Sequence, residues 1–173
     1  MARVTSPPEP ATRDERVQPE GPTLAEDLAF EAFYGGAIGG STIALFFLLV
    51  DGLQGRPLFT PSLIGHVLFT DLPATEIAPI RYDMVAYFSI VHFAAFGALG
   101  AIASLFYRYV ARGSRAALTA AFMFVLLTAV ILLADWLFMP GVVVAAGVGN
   151  TLAANALTAV AMAAFLHVAN RRG

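Results

Sequence analysis

The chain has 173 residues, 58% of them hydrophobic and 13% charged, with a mean hydropathy of +0.75. A soluble domain of this length is nearer half apolar and a quarter charged, so the surplus apolar surface belongs in lipid. A net charge of −2 gives no case for nucleic acid; the lack of cysteine excludes disulfides, thiolate metal sites and c-type haem; and all ten basic residues are arginine, which excludes lysine-imine chemistry.

Residues 1–22, "MARVTSPPEPATRDERVQPEGP", are rich in Pro, Glu and Arg and nearly free of large apolar groups. Such a segment cannot bury enough surface to offset its ordering entropy and reads as a disordered tail. It lacks the apolar stretch and small-residue cleavage site of a signal peptide. Residues 23–173 then read as one all-α membrane domain, a four-transmembrane-helix bundle. Its windows of about 20 apolar residues are Leu28–Val50, Met84–Tyr107, Ala116–Met139 and Gly141–Leu166.

The first span is announced by "TLAE", Thr23 to Glu26, the pattern of a capping box. Its "GGAIGG" places Gly35 one turn from Gly39 and Gly36 one turn from Gly40, the small-residue spacing at which lipid-embedded helices approach closely. Glu31 lies near the start of this span, where it is expected to reach water.

The linker 51–83 contains "GRPLFTPSLIGH". Thr60 before Pro61 suits an N-cap followed by a first helical residue. From Pro61 to Phe69, the residues Leu63, Ile64, Val67 and Leu68 share one face, with Ser62 and His66 elsewhere. The expectation is a short interfacial helix that either rests on the outer membrane surface or tucks over the bundle mouth as an outer cap, with Arg56 beside it and His66 as a surface histidine.

Asp83 is the expected N-cap of the second span. This span carries a small-residue stripe of Ala94, Gly97, Ala98, Ala101 and Ser104. At about 100° per residue His92 falls roughly opposite that stripe, with Ser89 on its own side. If His92 turns inward, the stripe is left free for a partner.

The third span carries Asp135 about 7 Å from its end. Pro140 and Gly141 mark a short break, so the third and fourth spans form an antiparallel hairpin. On the fourth, Ala145, Gly149 and Ala153 recur at four-residue intervals, and Thr151, Asn155 and Thr158 form a polar ridge with Asn150 turned away from it.

Arginine bias sets the expected orientation. Arg3, Arg13, Arg16, Arg108, Arg112, Arg115, Arg171 and Arg172 fall on one side and only Arg56 and Arg81 on the other. This places both termini in the cytoplasm. Trp136, Tyr82 and Tyr87 then sit at the outer interface, and Tyr107 and Tyr109 at the inner one.

A Gly/Ala-rich first span ending in "FFLLVDGLQGRPLFTPSLIG", followed by a span containing "VHFAAFGALG", resembles a group of small four-span bacterial integral membrane proteins with no established activity. The likeness covers roughly residues 29–109, with "GRP" followed by "TPSLIG" as its most specific part. It implies architecture and no mechanism.

Ionisable residues inside a membrane are functional candidates because their burial is costly. Asp135, His92 and Asn150 lie at depths that would let them meet as a proton relay, with Asn155 as a further polar candidate. The competing view is that each makes an ordinary interhelical bond. No third ligand at the same depth supports a metal site, and His66, His92 and His167 lie too far apart in depth for haem. His167 reads as an interfacial residue.

The reading that follows is a non-catalytic integral membrane protein without a cofactor. It would act as an accessory or stabilising subunit of a larger membrane complex, energy-transducing complexes included, or pair with itself. A small transporter or channel subunit using Asp135 and His92 is the alternative.

Overall fold

The structure, a computed structural model, describes residues 23–70, 72–75, 79–111 and 115–171. The expected tail 1–22 lies outside them. The described chain is all-helical: α1 (Leu24–Leu53), α2 (Phe59–Thr70), α3 (Tyr82–Tyr109), α4 (Arg115–Leu137), α5 (Val142–Ala146) and α6 (Val148–Ala169). Four of these, α1, α3, α4 and α6, are long and apolar enough to cross a membrane. Large apolar side chains such as Phe33, Leu45, Ile90, Val125 and Leu133 point outward along them, as a surface solvated by lipid requires. The chain is a multi-pass membrane protein built as a helical bundle.

The capping box forms as its residues dictate. The Glu26 carboxylate accepts from the Thr23 amide at 2.7 Å, and the Thr23 hydroxyl accepts from the Glu26 amide at 3.3 Å. In the bundle α1 lies between α3 and α6, and α4 packs chiefly on α6. Phe96, Leu99, Tyr107, Met123, Leu127 and Met162 fill its core. Helices α3 and α4 meet where Phe106 stacks on Phe122, ring centroids 3.9 Å apart.

The glycines of α1 divide between two neighbours. A Cβ at Gly36 would lie 2.5 Å from the Phe96 carbonyl oxygen and 2.8 Å from the Gly97 Cα, and Gly100 returns the approach against Ala32. Gly39 instead meets the Met162 sulfur as well as Phe96, and Gly35 faces Phe165 at 3.6 Å. Gly40 packs against the Phe93 ring at 3.0 Å. Both glycine pairs are therefore occupied inside the bundle, where van der Waals contact between backbones replaces the hydrophobic drive that lipid denies.

Helix α2 differs from an amphipathic helix lying flat on a membrane. It is buried nearly all round, Ser62 and His66 included, and it closes the end of the bundle opposite the chain termini. Its residues Leu63, Ile64 and Val67 form a second core with Ala74, Met139 and Val142. Gly65 lets α2 approach the α3 backbone at Met84.

The helix also starts earlier than expected, at Phe59, so Thr60 is not its cap. The buried Asp51 does that work from the end of α1. Its carboxylate accepts from the Thr60 amide at 2.7 Å and from the Thr60 hydroxyl at 2.8 Å. The intervening turn needs two left-handed residues, Gly55 (φ 74°) and Leu58 (φ 68°). Leu58 is strained there, and the doubly bonded Asp51 holds the turn closed.

Two other boundaries moved. Helix α3 begins at Tyr82, so Asp83 sits inside its first turn and pairs with Arg81 instead of capping. The predicted fourth span is interrupted at Gly147, whose φ of 90° separates α5 from α6.

Candidate functional site

The structure gives His92, Asp135 and Asn150 each a different partner. The Asp135 carboxylate accepts from the Val143 amide at 2.8 Å and the Gly141 amide at 3.4 Å, satisfying the first turn of α5. Asn150 donates to the Ala146 carbonyl of the preceding turn at 3.1 Å. His92 reaches across to α1, where Nε2 lies 3.0 Å from the Gly40 carbonyl oxygen. The expected relay is not assembled. Asn155 bridges α6 to α4 through the Thr128 hydroxyl at 3.2 Å, an interhelical bond of the ordinary kind.

The main polar cluster lies at the other end of the bundle, around a residue expected to face water. Glu31 is 4% exposed. Its Oε1 accepts from Arg108 Nη2 at 2.8 Å and Asn170 Nδ2 at 2.8 Å, and its Oε2 accepts from Arg108 Nε at 3.1 Å and from the Ser104 hydroxyl. Three helices, α1, α3 and α6, are thus tied to one carboxylate. Asp27 adds a looser contact to Arg108 at 3.8 Å. Beside it Tyr107, which is buried, bonds His167 Nδ1 at 3.2 Å. The donors saturate the carboxylate, so the cluster is built to join helices.

Ser104 and Arg108 sit one turn apart on α3, which is why both reach Glu31. That i, i+4 pairing opposite an acid near the start of α1 was the signal in the sequence. It is easily missed when Ser104 is counted as a packing residue and Arg108 as loop charge.

The capped end holds the polar groups of α2. His66 is 6% exposed, with Nε2 at 3.3 Å from the Pro79 carbonyl oxygen, and Ser62 accepts from the Arg81 amide at 3.0 Å. Together they pin the segment leading into α3. Neither is a surface group. Arg56 lies exposed over the Phe59 ring, its guanidinium carbon 3.9 Å from the centroid, and Pro61 lies in the first turn of α2. Just before α3, the Asp83 carboxylate bonded to Arg81 raises that guanidinium above its ordinary range.

Beneath α2 and α5, α3 and α4 diverge and leave a cavity of about 460 Å³, within the range of small-molecule sites. Its walls come from α1, α3, α4 and α6 and are overwhelmingly apolar. Exposed lining residues such as Leu45, Val91 and Phe138 mark the sides on which it opens toward lipid. His92 lines it, wedged among Phe88, Phe93 and Phe96 with ring centroids 4.8 to 5.3 Å away. No three His, Asp or Glu side chains converge as metal ligands among the described residues.

The small-residue faces also have definite places. With His92 turned toward α1, Ala94 and Ala98 point outward from α3, and Ala101 is half-buried. On α6, Ala153 and Ala156 are exposed, and a Cβ added to the exposed Gly149 would meet nothing within 4 Å. Gly97 is likewise open on its Cβ side although its backbone touches Gly36. Comparison of the chain with family models, curated proteins and solved structures finds no match.

Proposed function

We propose that this protein is a non-catalytic subunit that stabilises a larger membrane complex, and that it meets its partner helix on the smooth face of α6. The observation that carries this reading is the outward row Gly149, Ala153 and Ala156, which nothing among the described residues covers. Residues this small gain little from lipid, yet they let another helix approach closely. The ionisable groups in the spans support the same view. Glu31 and Arg108 are bonded at a helix joint, and Asp135 is bonded at a helix end. The arginine bias favours a bacterial inner membrane with both termini in the cytoplasm.

Gentle extraction from native membranes followed by native mass spectrometry tests this directly. A partner in fixed ratio is expected, with Gly149→Leu and Ala153→Leu releasing it while the isolated chain keeps its wild-type helicity and melting temperature. A chain that always emerges bare, or a complex untouched by both substitutions, would overturn the assignment of this face. The cysteine-free background also permits topology mapping. Thr70→Cys should react with an impermeant maleimide in intact cells, and Arg171→Cys only after permeabilisation.

A further inference from the structure

We propose that the cavity beneath α2 and α5 binds an uncharged, membrane-dissolved molecule, an apolar chain or ring system that carries a hydroxyl group. What the cavity can bind depends on which hydrogens its polar lining has left to give. Thr60, Ser89, His92, Thr151 and Asn155 all contribute to the wall. The Thr60 hydroxyl is donated to Asp51, the Ser89 hydroxyl to the Val85 carbonyl at 2.7 Å, and the Thr151 hydroxyl to the Gly147 carbonyl at 3.1 Å. A carbonyl only accepts, so the His92 contact to Gly40 requires the proton on Nε2 and leaves the Nδ1 lone pair unused among the described residues. Asn155 donates from Nδ2 to Thr128 and keeps its carbonyl oxygen.

Four of the five groups therefore offer an acceptor and no donor, and only the second amide hydrogen of Asn155 remains to be given. A ligand carbonyl or ether would find almost nothing to bond. A phosphate or carboxylate would fare worse, because no arginine among the described residues lines the cavity and a buried anion needs a compensating charge. A hydroxyl donates and fits. The volume suits a modest molecule: 460 Å³ equals the liquid volume of roughly fifteen waters at about 30 Å³ each, and the open sides let a longer tail run into the bilayer. The phenylalanines around His92 supply the apolar contact and fix the ring whose lone pair does the reading.

The test uses the full chain in nanodiscs with farnesol, farnesyl methyl ether and farnesyl monophosphate as probes, binding being read by native mass spectrometry and by competition. Farnesol is expected to bind saturably and about tenfold more tightly than the ether, the ratio of one hydrogen bond, and the monophosphate not to compete. His92→Phe should bring the alcohol-to-ether ratio toward one while apolar binding persists. Val130→Trp, at the exposed rim, should abolish binding of both. Equal affinity of the alcohol and ether in the wild-type protein, as an acyl chain filling the space indifferently would produce, overturns the proposal. So does preference for the ether or the phosphate, or no saturable binding. The wild-type comparison decides the matter even where a variant fails to fold.

Discussion

Two glycines that look interchangeable in the sequence should respond to alanine with opposite signs. A methyl at Gly36 would sit 2.8 Å from the Gly97 Cα and 2.5 Å from the Phe96 carbonyl oxygen. Carbon atoms rest at about 3.5 to 4.0 Å, so α1 and α3 must part by about 1 Å. The obstacle is backbone, and no side chain can rotate away. Overpacking of this kind costs about 1–3 kcal/mol, against a helix-propensity gain of about 1 kcal/mol for replacing glycine. Gly36→Ala should therefore lose up to about 2 kcal/mol, with about 1 kcal/mol as the central value. A methyl at Gly97 meets nothing within 4 Å, so Gly97→Ala should be neutral or gain up to about 1 kcal/mol. Reversible unfolding in detergent micelles, followed by circular dichroism or by steric trapping, resolves a gap of this size. If Gly36→Ala matches or exceeds the wild type, or if the two variants shift alike, the close approach of α1 to α3 is not as described.

The Glu31 cluster makes a second, independent prediction. Arg108→Ala leaves a buried carboxylate with only Ser104 and Asn170, a loss of about 3–5 kcal/mol. Adding Glu31→Gln should recover a large part of it, and strict additivity in the same unfolding assay would dismiss the coupling. At the capped end, Asp51→Ala removes both bonds to Thr60 and should cost about 1–2 kcal/mol. Hydrogen exchange should then quicken at the start of α2 and stay unchanged in α4 and α6. Unchanged protection across residues 59–62 would show that the turn closes without Asp51.

The four spans were legible because lipid imposes a length and a composition that a hydropathy count reads directly. The capping box was legible for a similar reason, being wholly local. What the sequence hid was azimuth and neighbour order. His92 and Asp135 were matched by depth, yet α1 lies beside α3 and takes the His92 bond at Gly40, while the turn at Gly141 brings amides to Asp135. Glu31 was misplaced because its short distance from the start of α1 suggested water; Arg108 and Asn170 cover it from helices far along the chain. Asp51 carried no local signal of its role, because only the turn with left-handed Leu58 returns the Thr60 amide onto it.

The separation in sequence between Glu31 and its partners also bears on how the protein is made. Arg108 lies 77 residues later and Asn170 a further 62, since the latter pair is 139 apart. During synthesis α1 is therefore presented to the insertion machinery before Ser104, Arg108 and Asn170, the described donors to its acid, have been made. The arginine arrives with α3, and the last donor only when α6 has emerged. Departure of the first helix into free lipid is penalised until its partners are made, so the cluster favours holding the helices together at the translocon and releasing them as an assembled bundle. One carboxylate thus works as a completion check on biogenesis.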